Sequence, residues 1–282
     1  MKINFLYIAA LLLSLQACGQ TAKLPAAVAP ARMEEKDFEL ENFIPGNFSQ
    51  LSVDALGNVY VITDANQLRK YNEKGDSLSA YDNVKKYGKP GFVDVSNPLK
   101  ILLYYPNFST AVTLDRLLTF RNSLNLRSLQ IFSVKALSIS YDNQLWVFDE
   151  QDNKLKKISE DGTLLSASND LRVVLPFTIS PQSLVDKNNN VYLYDSSRGF
   201  TIFDYYGSLK NTIPLLHWQQ VSVNDNFISG ISAGSLLLYS LKDKIVRGYT
   251  LPAFLQQVQG LKAMNNRLYV LVKTGVEIYR IK

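Results

Sequence analysis

"GNVYVITDANQLRKYNEKGD", residues 57–76, decides the fold. An apolar strand with a central aromatic, Tyr60, runs into an acidic turn at Asp64; a second strand follows, and a turn at Gly75 closes the stretch. Valine, isoleucine and tyrosine favour strands, while Asn, Asp and Gly reach the turn conformations that join them. The same order recurs in "YDNQLWVFDEQDNKLKKISEDGT", residues 141–163, and in "DKNNNVYLYDSSRGFTIFDYYGS", residues 186–208. Trp146 and Tyr192 take the place of Tyr60, Asp149 and Asp195 that of the acidic turn, and Gly162 and Gly207 that of Gly75.

Weaker copies occupy the intervals, in "KILLYYPNFSTAVTLDRLL" (100–118), "NFISGISAGSLLLYSLKDK" (226–244) and "RLYVLVKTGVEIYRIK" (267–282). Tyr60 to Tyr269 spans 209 residues, or about 42 per step over five steps. A period of that length, built from short alternating strands with almost no helical segment, predicts an all-β, six-bladed β-propeller. The last unit offers only three strands, in "LKAM", "RLYVLV" and "VEIYRI", and a lone strand, "DFELENFI", precedes the first unit. A ring must protect its edges, so Phe38 to Ile44 are expected to add the outer strand of the C-terminal blade.

The three strong copies resemble NHL-type and related six-bladed propellers, whose blades often read Gly-Asn-aromatic-Val-x-Asp, then a strand and a glycine turn. In "VYVITD" the acid falls one position later than in "LWVFD" and "VYLYD". The resemblance implies an architecture and leaves function open, because propellers host binding, catalysis and scaffolding alike.

The N-terminus reads as an address. "MKINFLYIAALLLSLQAC" carries one cation, Lys2, an apolar run and then small or polar residues, which is the layout of a secretory signal. Leu15-Gln16-Ala17-Cys18 resembles the lipobox of bacterial lipoproteins, which implies lipid attachment at Cys18, the only cysteine of the chain. Residues 1–17 are then the signal, 18–35 a lipidated tether rich in alanine and proline, and 36–282 the propeller. Gly19 after the cysteine, without the acidic cluster that Bacteroidota surface lipoproteins often carry, points to the periplasmic face of the outer membrane. The lipid would hold the protein at the membrane. Asp76-Ser77-Leu78 resembles the short O-glycosylation acceptor of exported Bacteroidota proteins, which flags Ser77.

Composition narrows the chemistry. The chain has 30 Lys and Arg against 25 Asp and Glu, a net charge of +5, spread without a basic face. Nucleic acid is therefore not an expected partner. Gly230-Ile231-Ser232-Ala233-Gly234 matches the G-x-S-x-G nucleophile elbow, which needs a following helix and a later histidine. Here an alternating strand follows and the single histidine, His217, comes earlier, so "GISAG" reads as a hairpin turn. One histidine cannot build a multi-histidine metal site, and "DKNNNV" at Asp186 lacks the sixth-position glycine and twelfth-position glutamate of an EF-hand. No metal or other cofactor is expected.

Candidate partner contacts lie where the copies differ: Tyr104, Tyr105 and Phe108 in "LLYYPNF", Tyr205 and Tyr206 in "DYYGS", and His217 and Trp218 in "HWQQ". Together these features lead to the expectation of a non-enzymatic interaction module, an accessory subunit of an outer-membrane or periplasmic assembly, secretion or import complex. The alternative is a glycan or small-molecule binder, or an enzyme, using the central channel.

Overall fold

The computed structural model describes residues 25–256 and 258–282. Ahead of the ring come β1 (Ala26–Arg32) and β2 (Phe38–Pro45). The first blade is β3 (Phe48–Val53), β4 (Val59–Thr63), β5 (Leu68–Tyr71) and β6 (Ser77–Tyr81). The second is β7 (Phe92–Asn97), β8 (Lys100–Tyr105), β9 (Thr110–Asp115) and β10 (Phe120–Asn125). The third comprises β11 (Val134–Ile139), β12 (Leu145–Asp149), β13 (Lys154–Ile158) and β14 (Leu164–Ala167). In the fourth are β15 (Ser183–Lys187), β16 (Asn190–Asp195), β17 (Gly199–Asp204) and β18 (Leu209–Ile213). The fifth contains β19 (Gln219–Val223), β20 (Phe227–Ser232), β21 (Ser235–Ser240) and β22 (Ile245–Thr250), and the sixth β23 (Gly260–Met264), β24 (Arg267–Val272) and β25 (Gly275–Ile281).

The first strands of the blades touch one another in the cyclic order β3, β7, β11, β15, β19, β23 and back to β3. The chain is a six-bladed β-propeller. Closure follows the expected route: β2 pairs antiparallel with β25 and completes the sixth blade, with Phe38 opposite Ile281 and Ile44 opposite Val276. Ile44 is 1% exposed, so this strand joins the core as well as the sheet.

The core consists of six apolar clusters, one at each boundary between neighbouring blades. Trp146 and Phe148 of the third blade pack with Val191, Leu193 and Phe203 of the fourth, for example. This arrangement corrects the expected alternation along the second strands. Both faces of a second strand meet a neighbouring blade, so β4, β8, β12 and β16 are buried almost throughout. The tyrosines of "LLYY" are buried for that reason.

A second correction concerns the tether. Residues 26–32 form a fifth strand on the outer edge of the fifth blade, where β1 runs parallel to β22. All seven of its residues are exposed. An alanine- and proline-rich strand with no buried face carries no periodicity, which is why it read as linker. Cys18, the signal and the first part of the tether lie outside the described residues, among which no helix is long and apolar enough to cross a membrane.

Candidate functional site

An antiparallel meander puts the turns between second and third strands, together with the blade-to-blade connections, at one end of the ring. At that end lies a cavity of about 530 Å³. Gln182 and Ser183 line it from the entry to β15, Tyr194 and Ser196 from the end of β16, His217 to Val221 from the entry to β19, and Lys262 from β23. Blades four, five and six thus converge on one opening.

Local chemistry shapes the wall. At the end of β16, Asp195 turns the chain: its carboxylate accepts the Ser197 N–H at 2.8 Å and the Ser180 N–H at 2.7 Å. Burial alone would raise its pKa, but these donors hold it below the usual carboxylate range. The Tyr194 hydroxyl accepts the Trp218 N–H at 2.7 Å and donates to the Trp218 carbonyl at 2.8 Å. Burial pushes that phenol up to about 12, so it remains a donor. Gly230 leaves room for the Trp218 ring, since a Cβ there would lie 2.8 Å from Trp218 Cε3.

His217 and Gln220, on either side of this anchored indole, both adopt left-handed backbone, with φ of 59° and 52°. Such residues store strain that the surroundings must offset, and they concentrate at functional sites. No other residue of the six innermost strands has positive φ. Pairing between β19 and β20 slips between Gln219 and Ser222, a bulge of the kind that re-aims side chains. Gln220 consequently crosses to the sixth blade, where its Oε1 accepts the Leu261 N–H.

Lys262 follows Leu261 and is the only Lys, Arg, Asp or Glu that lines the cavity. It keeps part of its surface toward the channel, yet protein encloses it at longer range, and burial pushes its ammonium below the ordinary lysine pKa. Among the described residues, no carboxylate pairs with it.

The opposite end of the ring holds a different cluster. Lys157 pairs with Asp142 at 2.7 Å and lies over the rings of Tyr141, Trp146 and Tyr205, 4.8–5.6 Å from their centroids. Beside it, one oxygen of Asp186 accepts from Trp146 Nε1 at 3.0 Å and from the Tyr205 hydroxyl at 2.8 Å. Its other oxygen is buried without a partner. The bonded oxygen also accepts the Tyr141 N–H at 3.3 Å; burial raises this carboxyl's pKa, and these three donors with the nearby Lys157 only partly counter it.

The residues singled out from the sequence scatter over this frame. Tyr104 and Tyr105 are 7% and 2% exposed and belong to the core, so they cannot offer a contact surface, while Trp218, 5% exposed, is anchored in the cavity wall. Phe108 is exposed in the β8–β9 turn, at the end that carries the cavity. His217 stands exposed at the cavity lip. Tyr205 leans on the third blade, 4.3 Å from Tyr141 between ring centroids, whereas Tyr206 is 84% exposed at the far end. Ser77 is exposed at the start of β6.

"GISAG" is a hairpin turn, with Ala233 and Gly234 between the paired Ser232 and Ser235. Asp64 is exposed and out of step with Asp149 and Asp195 because Thr63 ends β4 where they end β12 and β16. Sequence reasoning flagged the stretch "HWQQ" without naming Gln220 and missed Lys262 altogether.

No protein-family model matches the chain, and no curated protein aligns with it. Among solved structures, it is similar to a putative exported protein from Bacteroides fragilis, with 10% identity and a TM-score of 0.59 over 91% of this chain and 100% of that one. Streptogramin B lyase gives 17% identity and a TM-score of 0.56 over 82% and 78% of the two chains. A catalytically inactive variant of virginiamycin B lyase from Staphylococcus aureus, solved with quinupristin, gives 11% and 0.57 over 86% and 98%. Likeness at these identities shows the fold alone. It nevertheless corrects the expectation of a non-enzymatic protein: enzymes are built on this architecture, so the missing serine–histidine order does not exclude catalysis.

Proposed function

We propose that the protein is an exported, lipid-anchored recognition module of the bacterial envelope, and that it binds through the cavity at the channel mouth. The observation that carries this reading is the cavity itself, about 530 Å³ with polar groups from three blades converging on it. Its size suits a small molecule or the end of a longer chain, since ligand sites usually run from about 300 to 1,000 Å³. The lipobox resemblance at Leu15 to Cys18 supports anchoring at Cys18, and Gly19 supports the periplasmic face of the outer membrane. A place beside an assembly, secretion or import complex fits that address.

A photo-crosslinking residue at Ser183, in cells, is expected to capture the bound ligand or partner segment. The same probe at Tyr206, at the far end of the ring, is expected to capture nothing comparable, and equal capture at both positions contradicts the reading. Cys18→Ser is expected to abolish lipid labelling and release the protein from membranes.

A second reading, catalysis in the same cavity, is favoured by the presence of His217 and Lys262 in its lining. Both side chains can exchange protons. Ligand turnover that His217→Ala abolishes while binding persists would establish it.

A further inference from the structure

The three buried lysines among the described residues are all satisfied. Lys70 donates to the Arg116 carbonyl at 2.8 Å, Lys156 pairs with Asp149 at 2.7 Å, and Lys157 pairs with Asp142 at 2.7 Å. Lysine is rarely enclosed without such a partner. Lys262, partly buried, has no such partner, and the space in front of it is a cavity rather than packed protein.

A second donor lines the same cavity. Gln220 spends its oxygen on the Leu261 N–H, and a backbone N–H can only donate, so this contact fixes which end of the amide is which. The NH2 end of Gln220 therefore stays free, with no protein acceptor among the described residues. The contact to Leu261 also ties this amide to the strand position just before Lys262. The bulge and the left-handed φ of Gln220 are what carry its side chain there.

From this we infer that the cavity takes a carboxylate group of its ligand, held by Lys262 Nζ and the free amide NH2 of Gln220. The inference rests on the cavity being the binding site. Charge selects the class of anion: a carboxylate carries one negative charge and matches the single cation. A phosphate near neutral pH brings close to two, and no Lys or Arg besides Lys262 lines the cavity. Charge-assisted bonds of this kind are about twice as strong as neutral ones, so the acid group would orient whatever carries it. An acidic sugar and a free peptide C-terminus share this chemistry.

Calorimetric titration of the full chain, purified in detergent, with five probes tests the inference: D-glucuronate, D-glucose, alanyl-alanine, its C-terminal amide, and inorganic phosphate. At least one of the two acids is expected to bind, about tenfold or more tighter than its neutral counterpart. Whichever acid binds identifies the source as sugar or chain end. Lys262→Met is expected to erase the difference between acid and neutral probe without lowering the melting temperature. Gln220→Glu keeps an acceptor for Leu261 while giving Lys262 a counter-charge, and it too is expected to abolish acid binding in a folded protein. Neutral probes binding as well as the acids would overturn the carboxylate inference and leave the cavity reading standing. Phosphate binding tighter than both acids, or no binding by any probe, would also overturn it, and crosslinking at Ser183 then decides separately whether the cavity is a site at all.

Discussion

Two enclosed lysines at opposite ends of the ring are treated in opposite ways. Lys157, between the third and fourth blades, has a carboxylate at 2.7 Å and three aromatic faces around it. Lys262, on the channel wall between the fifth and sixth, shares its cavity with a neutral amide and has no carboxylate partner among the described residues. Taking a cation out of bulk water costs several kcal/mol unless partners compensate, and the first site compensates with its own residues. The second leaves the compensation to something that is not part of the chain. The contrast marks the cavity as the proposed binding site where exposure alone would not, since Tyr206, the most exposed aromatic among the described residues, stands at the other end.

The harshest way to break the comparison is to open the ring on which both sites depend. Deleting Phe38–Pro45 removes the outer strand of the sixth blade and the burial of Phe38 and Ile44, together about 3–6 kcal/mol. That is a large share of a typical domain's stability, so the cooperative thermal transition is expected to disappear or fall steeply in calorimetry.

Applying one substitution at both sites sharpens the comparison. Lys157→Met, which loses the ion pair and the cation–π contacts, is expected to destabilise by about 1–2 kcal/mol in urea unfolding. Tyr205→Phe, which takes a donor from the buried Asp186 carboxylate, is expected to cost a similar amount, about 1–2 kcal/mol. Lys262→Met should be neutral or stabilise by up to about 1 kcal/mol at neutral pH, because it removes an uncompensated cation.

The sign of the pH dependence follows from the lowered pKa of Lys262. Between its folded-state pKa and the ordinary lysine value of 10.5, the unfolded chain binds more protons than the folded one, so stability rises with pH across that window. Below it the penalty is fully present. The advantage of Lys262→Met over the wild type should therefore shrink as pH climbs toward 10.5, as read by unfolding at several pH values. Tyr206→Ser, at the exposed tip of the turn beside Tyr205, is expected to leave the melting temperature unchanged.

The architecture was legible because three blades repeat the same local chemistry: an aromatic-centred strand, an acid at the turn, and a glycine after the strand that follows. Closure was legible from an imbalance, one strand too few at the end and one spare at the start. β1 escaped because pairing by backbone alone, with every side chain exposed, leaves no pattern in the residues. Tyr104 and Tyr105 misled because adjacent aromatics on a strand covered on both faces look like a departure from alternation. The candidate site was the least legible part. Lys262 sits in "LKAM", an ordinary strand of a weak repeat, and nothing in its neighbours tells that a left-handed glutamine 41 positions before Leu261 reaches across to that strand. His217 was visible as the single histidine, but its place at the cavity lip comes from the fourth-to-fifth blade connection, not from any motif.

Carbon-13 NMR of lysine-labelled full-length protein tests the central claim most directly, by following the Lys262 side-chain signal, assigned through Lys262→Met, as pH is raised without ligand. Lys262 is expected to titrate below the surface lysines and to shift back toward them when a carboxylate probe is added. Titration together with the surface lysines, unmoved by any carboxylate, would contradict it.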